Sequence, residues 1–330
     1  MFSIFRRLKP PAPARSRPSQ ARRPRMVDIA GNTMGTTYQV RIATAKPMDE
    51  DDLAARIHAA VDLVDRQMST WKPDSDLSQF NASGTDVWVS VPNDLARVVK
   101  TALGISRSTQ GAFDVTVGAA VNAWGFGPDG PASKIPDRQP FGVWQHLDVR
   151  DDPPALRKNT KMYVDLSGIA KGFGVDRICD VLEEMDLTDY LVSIDGETRV
   201  SGSKPGIDGQ WRVAVDTPTD GDGEADVWDV LQLKNCAIAT SGDYRRFFDH
   251  DGQRFAHTID PHTGTPVQGA AASVTVMMPT CMLADAWATA LLVMGPQKGI
   301  AIAQARNMRA LFLFRDEAGF REVTTGDIID

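Results

Sequence analysis

No stretch of ~18 consecutive apolar residues occurs in the sequence, so no transmembrane helix is expected. Cysteine is scarce: Cys179, Cys236 and Cys281 are odd in number, far apart and each set in an apolar run. They suit buried thiols in a reducing compartment and argue against a disulfide frame or a thiolate zinc site. The first 25 residues lack any acidic side chain, carry eight basic ones and five prolines, and contain no apolar core of the roughly 7 to 15 residues that a secretory signal needs. No cysteine near the start is available for a lipid either. Residues 1–25 therefore read as a disordered basic tail, residues 26–330 as the folded part, and the expected location is the cytoplasm. Beyond the tail it is positive charge that runs short, 28 basic against 43 acidic side chains, the opposite of a nucleic-acid binder. With 42% hydrophobic residues the chain can still bury a sizeable core.

Histidine is also sparse, and its placement narrows the chemistry. His257 sits on an apparent strand, delivered by a hairpin whose turn falls at Asp251 and Gly252. Twenty-eight positions later Asp285 and Thr289 stand four apart on a helix, their oxygens on one face. A carboxylate and a hydroxyl so placed form a half-site for a hard cation such as Mg²⁺, or else a local hydrogen bond or cap. The helix is almost wholly apolar from Ala286 onward, so an unpartnered Asp285 near its start would be expensive.

Residues 26–42 read as strand, turn, strand, with Gly35 in the turn. Asp49 precedes an amphipathic helix with Leu53, Ile57, Val61, Val64 and Met68 on one face. A polar loop at 69–81 follows, in which Trp71 suits either the core or a surface on which a planar ligand stacks. A strand at 87–91 leads into a second helix capped by Asn93, and the small and aromatic residues at 111–118 and 124–128 fit a loop against a flat ligand or a structural turn. Residues 131–140 read as a surface loop. At 163–176 a strand, a glycine-rich turn and a helix succeed one another, and backbone N–H groups at such a helix start, with Lys171 beside them, can cradle phosphate. The spacing is neither the P-loop nor the dinucleotide fingerprint, so the phosphate reading stays open. Strands are expected at 190–194, 211–215, 236–240 and 272–278, helices at 281–294 and 297–306, and a closing hairpin at 311–323.

Taken in order, Met34-Gly35-Thr36, the run 75–81, Gly111-Ala112-Phe113-Asp114, the run 165–172, Thr240-Ser241-Gly242, the run 257–264 and Ala284-Asp285 to Thr289 resemble the ApbE-type FAD:protein FMN transferases. The likeness is collinear from about residue 26 to 294. It implies a mixed α/β (α+β), T-fold-like domain with mostly antiparallel sheets and packed helices, Mg²⁺ as cofactor and FAD as substrate. On the matching positions, Met34, Trp71, Ala112, Phe113, Asp114, Asp165, Lys171 and Ile259 would line the FAD site. The backbone carbonyls of Gly168 and Ala288 and the side chains of Asp285 and Thr289 would hold the metal. The implied reaction passes the FMN phosphoryl group of FAD to a threonine of a target redox flavoprotein and releases AMP. His257 is then the expected general base and Asp285 the second catalytic group; His262 is expected at the surface. The family commonly has two glycines where this chain has Asp195-Gly196-Glu197, and is commonly exported and membrane-anchored. An FAD-binding maturation factor without transfer activity and an FAD pyrophosphatase are the alternatives.

Overall fold

The computed structural model describes residues 24–128, 141–205, 209–219, 226–244, 247–250, 253–268, 271–317 and 319–328. The basic tail before residue 24, the loop at 131–140 and the turn at Asp251 and Gly252 lie outside the described residues.

Strands β1 (Arg25–Thr33) and β2 (Thr36–Thr44) form a hairpin closed by Met34 and Gly35 at φ 46° and 73°, the two positive dihedrals of a type I′ turn. Helix α1 (Glu50–Met68) starts as its sequence predicts: the Asp49 carboxylate accepts the N–H groups of Asp51 and Asp52, and the expected apolar face is buried. Helix α2 (Asp76–Ala82) replaces part of the polar loop expected at 69–81. Ser75 caps it, and Leu77 and Phe80 are its two buried side chains. Strand β3 (Val89–Ser90) is shorter than expected, and α3 (Asn93–Ser108) begins at Asn93, with Pro92 in the cap position and no side chain capping it. Helix α4 (Gly118–Ala123) follows, then β4 (Leu147–Asp151) and β5 (Pro154–Lys158), which join β3 in a small antiparallel sheet.

Next come α5 (Ala170–Glu184), β6 (Tyr190–Ile194), β7 (Glu197–Ser201), β8 (Trp211–Asp216), β9 (Val227–Leu233) and β10 (Cys236–Gly242). Short hairpins pair β11 (Phe247–His250) with β12 (Gln253–Ala256) and β13 (Ile259–Asp260) with β14 (Thr265–Pro266). The chain closes with β15 (Ser273–Met278), α6 (Cys281–Ala305), β16 (Arg309–Asp316) and β17 (Gly319–Thr325). Gly295, at φ 71° and ψ 179°, and Pro296 break α6, so it comprises the two helical stretches that the sequence predicts.

Eight strands form the main antiparallel sheet in the order β1-β2-β6-β7-β10-β15-β16-β17. Both of its faces are covered, and the alternation along β16 shows how. Ala310, Phe312 and Phe314 join the cluster that holds Leu291 and Leu292 of α6, while Leu311 and Leu313 join the one containing Trp211, Leu231 and Leu233 of the β8–β9 ribbon. Toward the other edge, Val40 and Ile42 of β2 pack with Leu53 and Ile57 of α1 and Val175 and Ile178 of α5. The result is a mixed α/β fold with antiparallel pairing throughout its sheets. Among the described residues no helix is long and apolar enough to cross a membrane.

Candidate active site

The start of α5 is the point on which the other elements converge. Lys171 and Gly172 lie in its first turn, where backbone N–H groups have no partner within the helix. One of these finds a partner on α6: Gly172 N–H donates to Asp285 Oδ2 at 3.0 Å. The approach is so close that a Cβ on residue 172 would fall 2.3 Å from the Cys281 carbonyl oxygen and 2.8 Å from Asp285 Cβ. Only glycine fits. One turn further along α6, Thr289 shares a hydrogen bond with Ser241 of β10, Oγ1 to Oγ 3.0 Å. A Cβ on Gly168 would stand 3.4 Å from Thr289 Oγ1 and 3.4 Å from the Phe113 ring. Gly168, Thr289 and Phe113 are thus neighbours, although 176 residues separate Phe113 from Thr289 in sequence.

The loop carrying Ala112, Phe113 and Asp114 is fastened to the one carrying Asp165, since Asp165 N–H donates to the Val115 carbonyl at 2.8 Å. Asp165 in turn accepts Ser167 N–H at 2.7 Å, shaping the turn before α5. Asp114 is buried and its Oδ1 accepts both the N–H and the hydroxyl of Thr116. Burial pushes its carboxyl up, with the Thr116 donors and the nearby His262 opposing.

Two hairpin tips lie side by side at the same place. Asp195 and Gly196, at φ 52° and 99°, make the type I′ turn between β6 and β7, and β6 pairs with β2, so this turn abuts the one holding Met34. Met34 reaches α5, where a Cβ on Gly174 would lie 2.7 Å from Met34 Cε. From the neighbouring tip two carboxylates take the Lys171 ammonium: Nζ donates to Asp195 Oδ2 at 2.9 Å and to Glu197 Oε1 at 2.8 Å. Thr36 donates to the other Asp195 oxygen at 3.2 Å. Glu197 is only 3% exposed, and its Oε2 is buried with no hydrogen-bond partner among the described residues.

Electrostatically the cluster is short of positive charge. Burial pushes the Asp285 carboxyl up to about 7, helped by Glu197 and Asp195 and opposed by Lys171 and the Gly172 N–H. Glu197 is raised by burial too, against the pull of Lys171. Burial would lower Lys171, but Glu197, Asp285 and Asp195 outweigh it and hold the ammonium protonated. The Lys171 proton is therefore secure. The carboxylate most in need of a further cation is Asp285, which touches a backbone N–H where Glu197 and Asp195 touch the ammonium itself.

His257 occupies the gap between β12 and β13, half-buried, with the Phe126 ring edge-on at a centroid distance of 6.3 Å. Trp124 stacks on Phe255 at 5.3 Å and donates Nε1–H to the Gly264 carbonyl at 2.8 Å, so Trp124 and Phe126 pack against the His257 segment. Ile259 is buried beside it, paired with Pro266, and His262 is exposed, as expected. Trp71 is 64% exposed on the loop between α1 and α2.

The ApbE family profile matches residues 34–312. The chain belongs to the ApbE family. Curated relatives named FAD:protein FMN transferase include that of Haemophilus influenzae, 39% identical over 90% of this chain and 88% of the relative, and that of Vibrio cholerae, 39% identical over 90% of each. Among solved structures, the flavin transferase ApbE from Vibrio cholerae superposes with a TM-score of 0.82 at 37% identity, covering 92% of this chain and 98% of that one. The apo flavinyl transferase ApbE of Pseudomonas stutzeri gives 0.82 at 33% identity, covering 92% and 95%. The protein is accordingly a transferase with the ApbE fold. In this member, Ser241, Thr36, Glu197 and Asp195 join the sequence-predicted residues. The Asp195-Gly196 pair, an aspartate-glycine between alternating strands, is itself a hairpin signal that marks where the two carboxylates are presented.

Proposed function

We propose that this ApbE-family protein is an Mg²⁺-dependent FAD:protein FMN transferase that joins FMN through a phosphoester bond to a threonine of a target flavoprotein and releases AMP. The observation that carries the proposal is the meeting of Asp285, Thr289 and Gly168 beside the first turn of α5, with Lys171 on the same turn. Asp285, Thr289 and the carbonyls of Gly168 and Ala288 are oxygen donors only, suited to a hard cation that keeps open positions for phosphate oxygens. A buried carboxylate raised to about 7 with one unrelieved charge fits such an ion. When bound, the cation would neutralise charge on the pyrophosphate being cleaved.

The protein's own groups do the rest. The helix N-terminus and Lys171 face the phosphates, and Met34, Ala112, Phe113, Asp114, Asp165 and Ile259 line the dinucleotide. Trp71 offers a ring for stacking. His257 accepts the proton that the attacking threonine hydroxyl loses, a contribution of roughly 10² to 10⁴ in rate. As the P–O bond to threonine forms, the pyrophosphate P–O bond breaks and the pair of electrons leaves on AMP. The test is to incubate the protein with FAD, Mg²⁺ and an acceptor domain bearing an exposed threonine, and weigh the acceptor by intact mass spectrometry. The expected result is a gain equal to FMN with one AMP released, abolished by a chelator. Free FMN and AMP with an unmodified acceptor would replace the proposal with a pyrophosphatase, and bound intact FAD with a binding protein.

A further inference from the structure

We infer that Asp195 is a positioning residue that makes dinucleotide binding depend on prior occupancy by a divalent cation, because it holds the Lys171 ammonium away from phosphate. This deepens the transferase reading and rests on it. A lysine ammonium has three donors. Here two are committed, one to Glu197 deep in the protein and one to Asp195 on its solvent side: the side chains of Glu197, Lys171 and Asp195 are 4%, 27% and 33% exposed. An anion approaching Lys171 from solvent therefore meets the Asp195 carboxylate beside it. Asp195 is itself pinned from its other oxygen by the Thr36 hydroxyl at 3.2 Å and by its place in a two-residue hairpin turn, so it does not swing aside freely.

The charges point the same way. Lys171 faces Asp195 and Glu197 directly and Asp285 near by, three carboxylates to one ammonium. A pyrophosphate adding two more negative charges to a site without excess positive charge is repelled, and the repulsion is strong where water is partly excluded. A divalent cation at Asp285 cancels the excess negative charge of these four groups, so that Lys171 can offer its uncommitted third donor to a phosphate oxygen. Glu197 orients the lysine in either case. Asp195 is what sets the order, cation first and dinucleotide second.

The backbone at residue 195, φ 52°, is one that asparagine and glycine adopt readily, so Asp195→Asn and Asp195→Gly remove the charge without straining the turn. FAD affinity is measured by flavin fluorescence with the full-length protein in excess Mg²⁺ and in excess chelator. The unaltered protein is expected to lose roughly 30-fold or more in affinity on chelation, and both variants about 5-fold or less, through tighter binding in chelator rather than weaker binding in Mg²⁺. Equal losses in variant and parent would overturn the inference. So would loss of FAD binding by the variants in both conditions, which would make Asp195 a direct ligand. A parent protein that binds FAD in neither condition refutes the transferase reading itself, whereas FMN transfer by a parent whose variants keep the full chelator effect refutes only the role of Asp195.

Discussion

Replacing Asp285 by Asn separates the metal-holding role of this side chain from its cost to the free protein. The carboxyl is buried, and its value of about 7 stands some three units above 3.8, the ordinary value. Between those two pH values the folded protein keeps a proton that the unfolded chain has released, so stability is fully present below about pH 4 and falls as pH rises toward 7. At about 1.4 kcal/mol per unit, the ionised carboxylate costs at most about 4 kcal/mol at pH 8. Asparagine keeps the shape, and its carbonyl oxygen can still accept the Gly172 N–H, but it never ionises. For a chain of this size, 4 kcal/mol corresponds to roughly 6 °C in melting temperature. In chelator, Asp285→Asn should therefore melt up to ~6 °C above the parent at pH 8 and within about 2 °C of it near pH 4.5. Adding Mg²⁺ at pH 8 should raise the parent and leave the variant unmoved, while transfer is lost in the variant. Thermal unfolding at three pH values with and without Mg²⁺ measures all of this. A variant that melts below the parent at pH 8, or by the same offset at every pH, would refute the reasoning, because no buried charge would then have been removed.

Three further outcomes follow from single contacts. His257→Ala should slow FMN transfer by roughly 10²-fold or more while leaving the FAD dissociation constant within a few-fold, read by single-turnover transfer and flavin fluorescence; unchanged transfer would remove it as base. Gly172→Ala sets a methyl group against the Cys281 backbone carbonyl and should cost several kcal/mol in denaturant unfolding, more than an ordinary overpacked core position of about 1–3 kcal/mol, and an unfolding curve like the parent's would contradict the packing of α5 on α6. Trp71→Ala, at an exposed site, should leave stability within about 0.5 kcal/mol but weaken FAD binding by roughly 1 kcal/mol or more, and unchanged affinity would dismiss it as a stacking surface.

How far this was legible in the sequence depends on whether a signal is local. The buried face of α1 and its Asp49 cap follow from spacing and from one capping residue, and both are present. The pairing of Asp285 with Thr289 on one helix follows from a period of four, and the helix is there, broken at Gly295 and Pro296 where two helices were expected. Helix α2 was missed because Ser, Asp and Asn crowd a stretch of seven residues, and only its two apolar positions, Leu77 and Phe80, report burial. The β4–β5 pair was missed for a similar reason, as charged residues alternate there with few apolar ones. The partners of Lys171 could not be read locally at all. Asp195 and Glu197 lie 24 and 26 residues away, and they reach the lysine only because β6 and β7 turn back beside the start of α5.

The same lack of a local signal hides what fixes the two halves of the site against each other. Helix α6 receives no side-chain cap from its own Thr280, whose hydroxyl is buried without a partner among the described residues. The cap comes across the interface from α5: Asp176 accepts the N–H groups of Cys281 and Met282 at 3.0 and 2.9 Å, and Arg199 of β7 pairs with Asp176 at 3.0 Å. One turn earlier on α5 Gly172 N–H meets Asp285, one turn later on α6 than the capped residues. Each helix thus satisfies the orphan donors of the other, at two levels, with opposite direction of donation. Sliding one helix along the other by a single residue would break both sets at once and drive the Gly172 backbone into Cys281. The placement of the first turn of α5 against Asp285 is therefore set by short carboxylates bonded to backbone N–H groups and by the close Gly172–Cys281 main-chain approach, which is the rigidity that charge stabilisation on a transferred phosphoryl group requires.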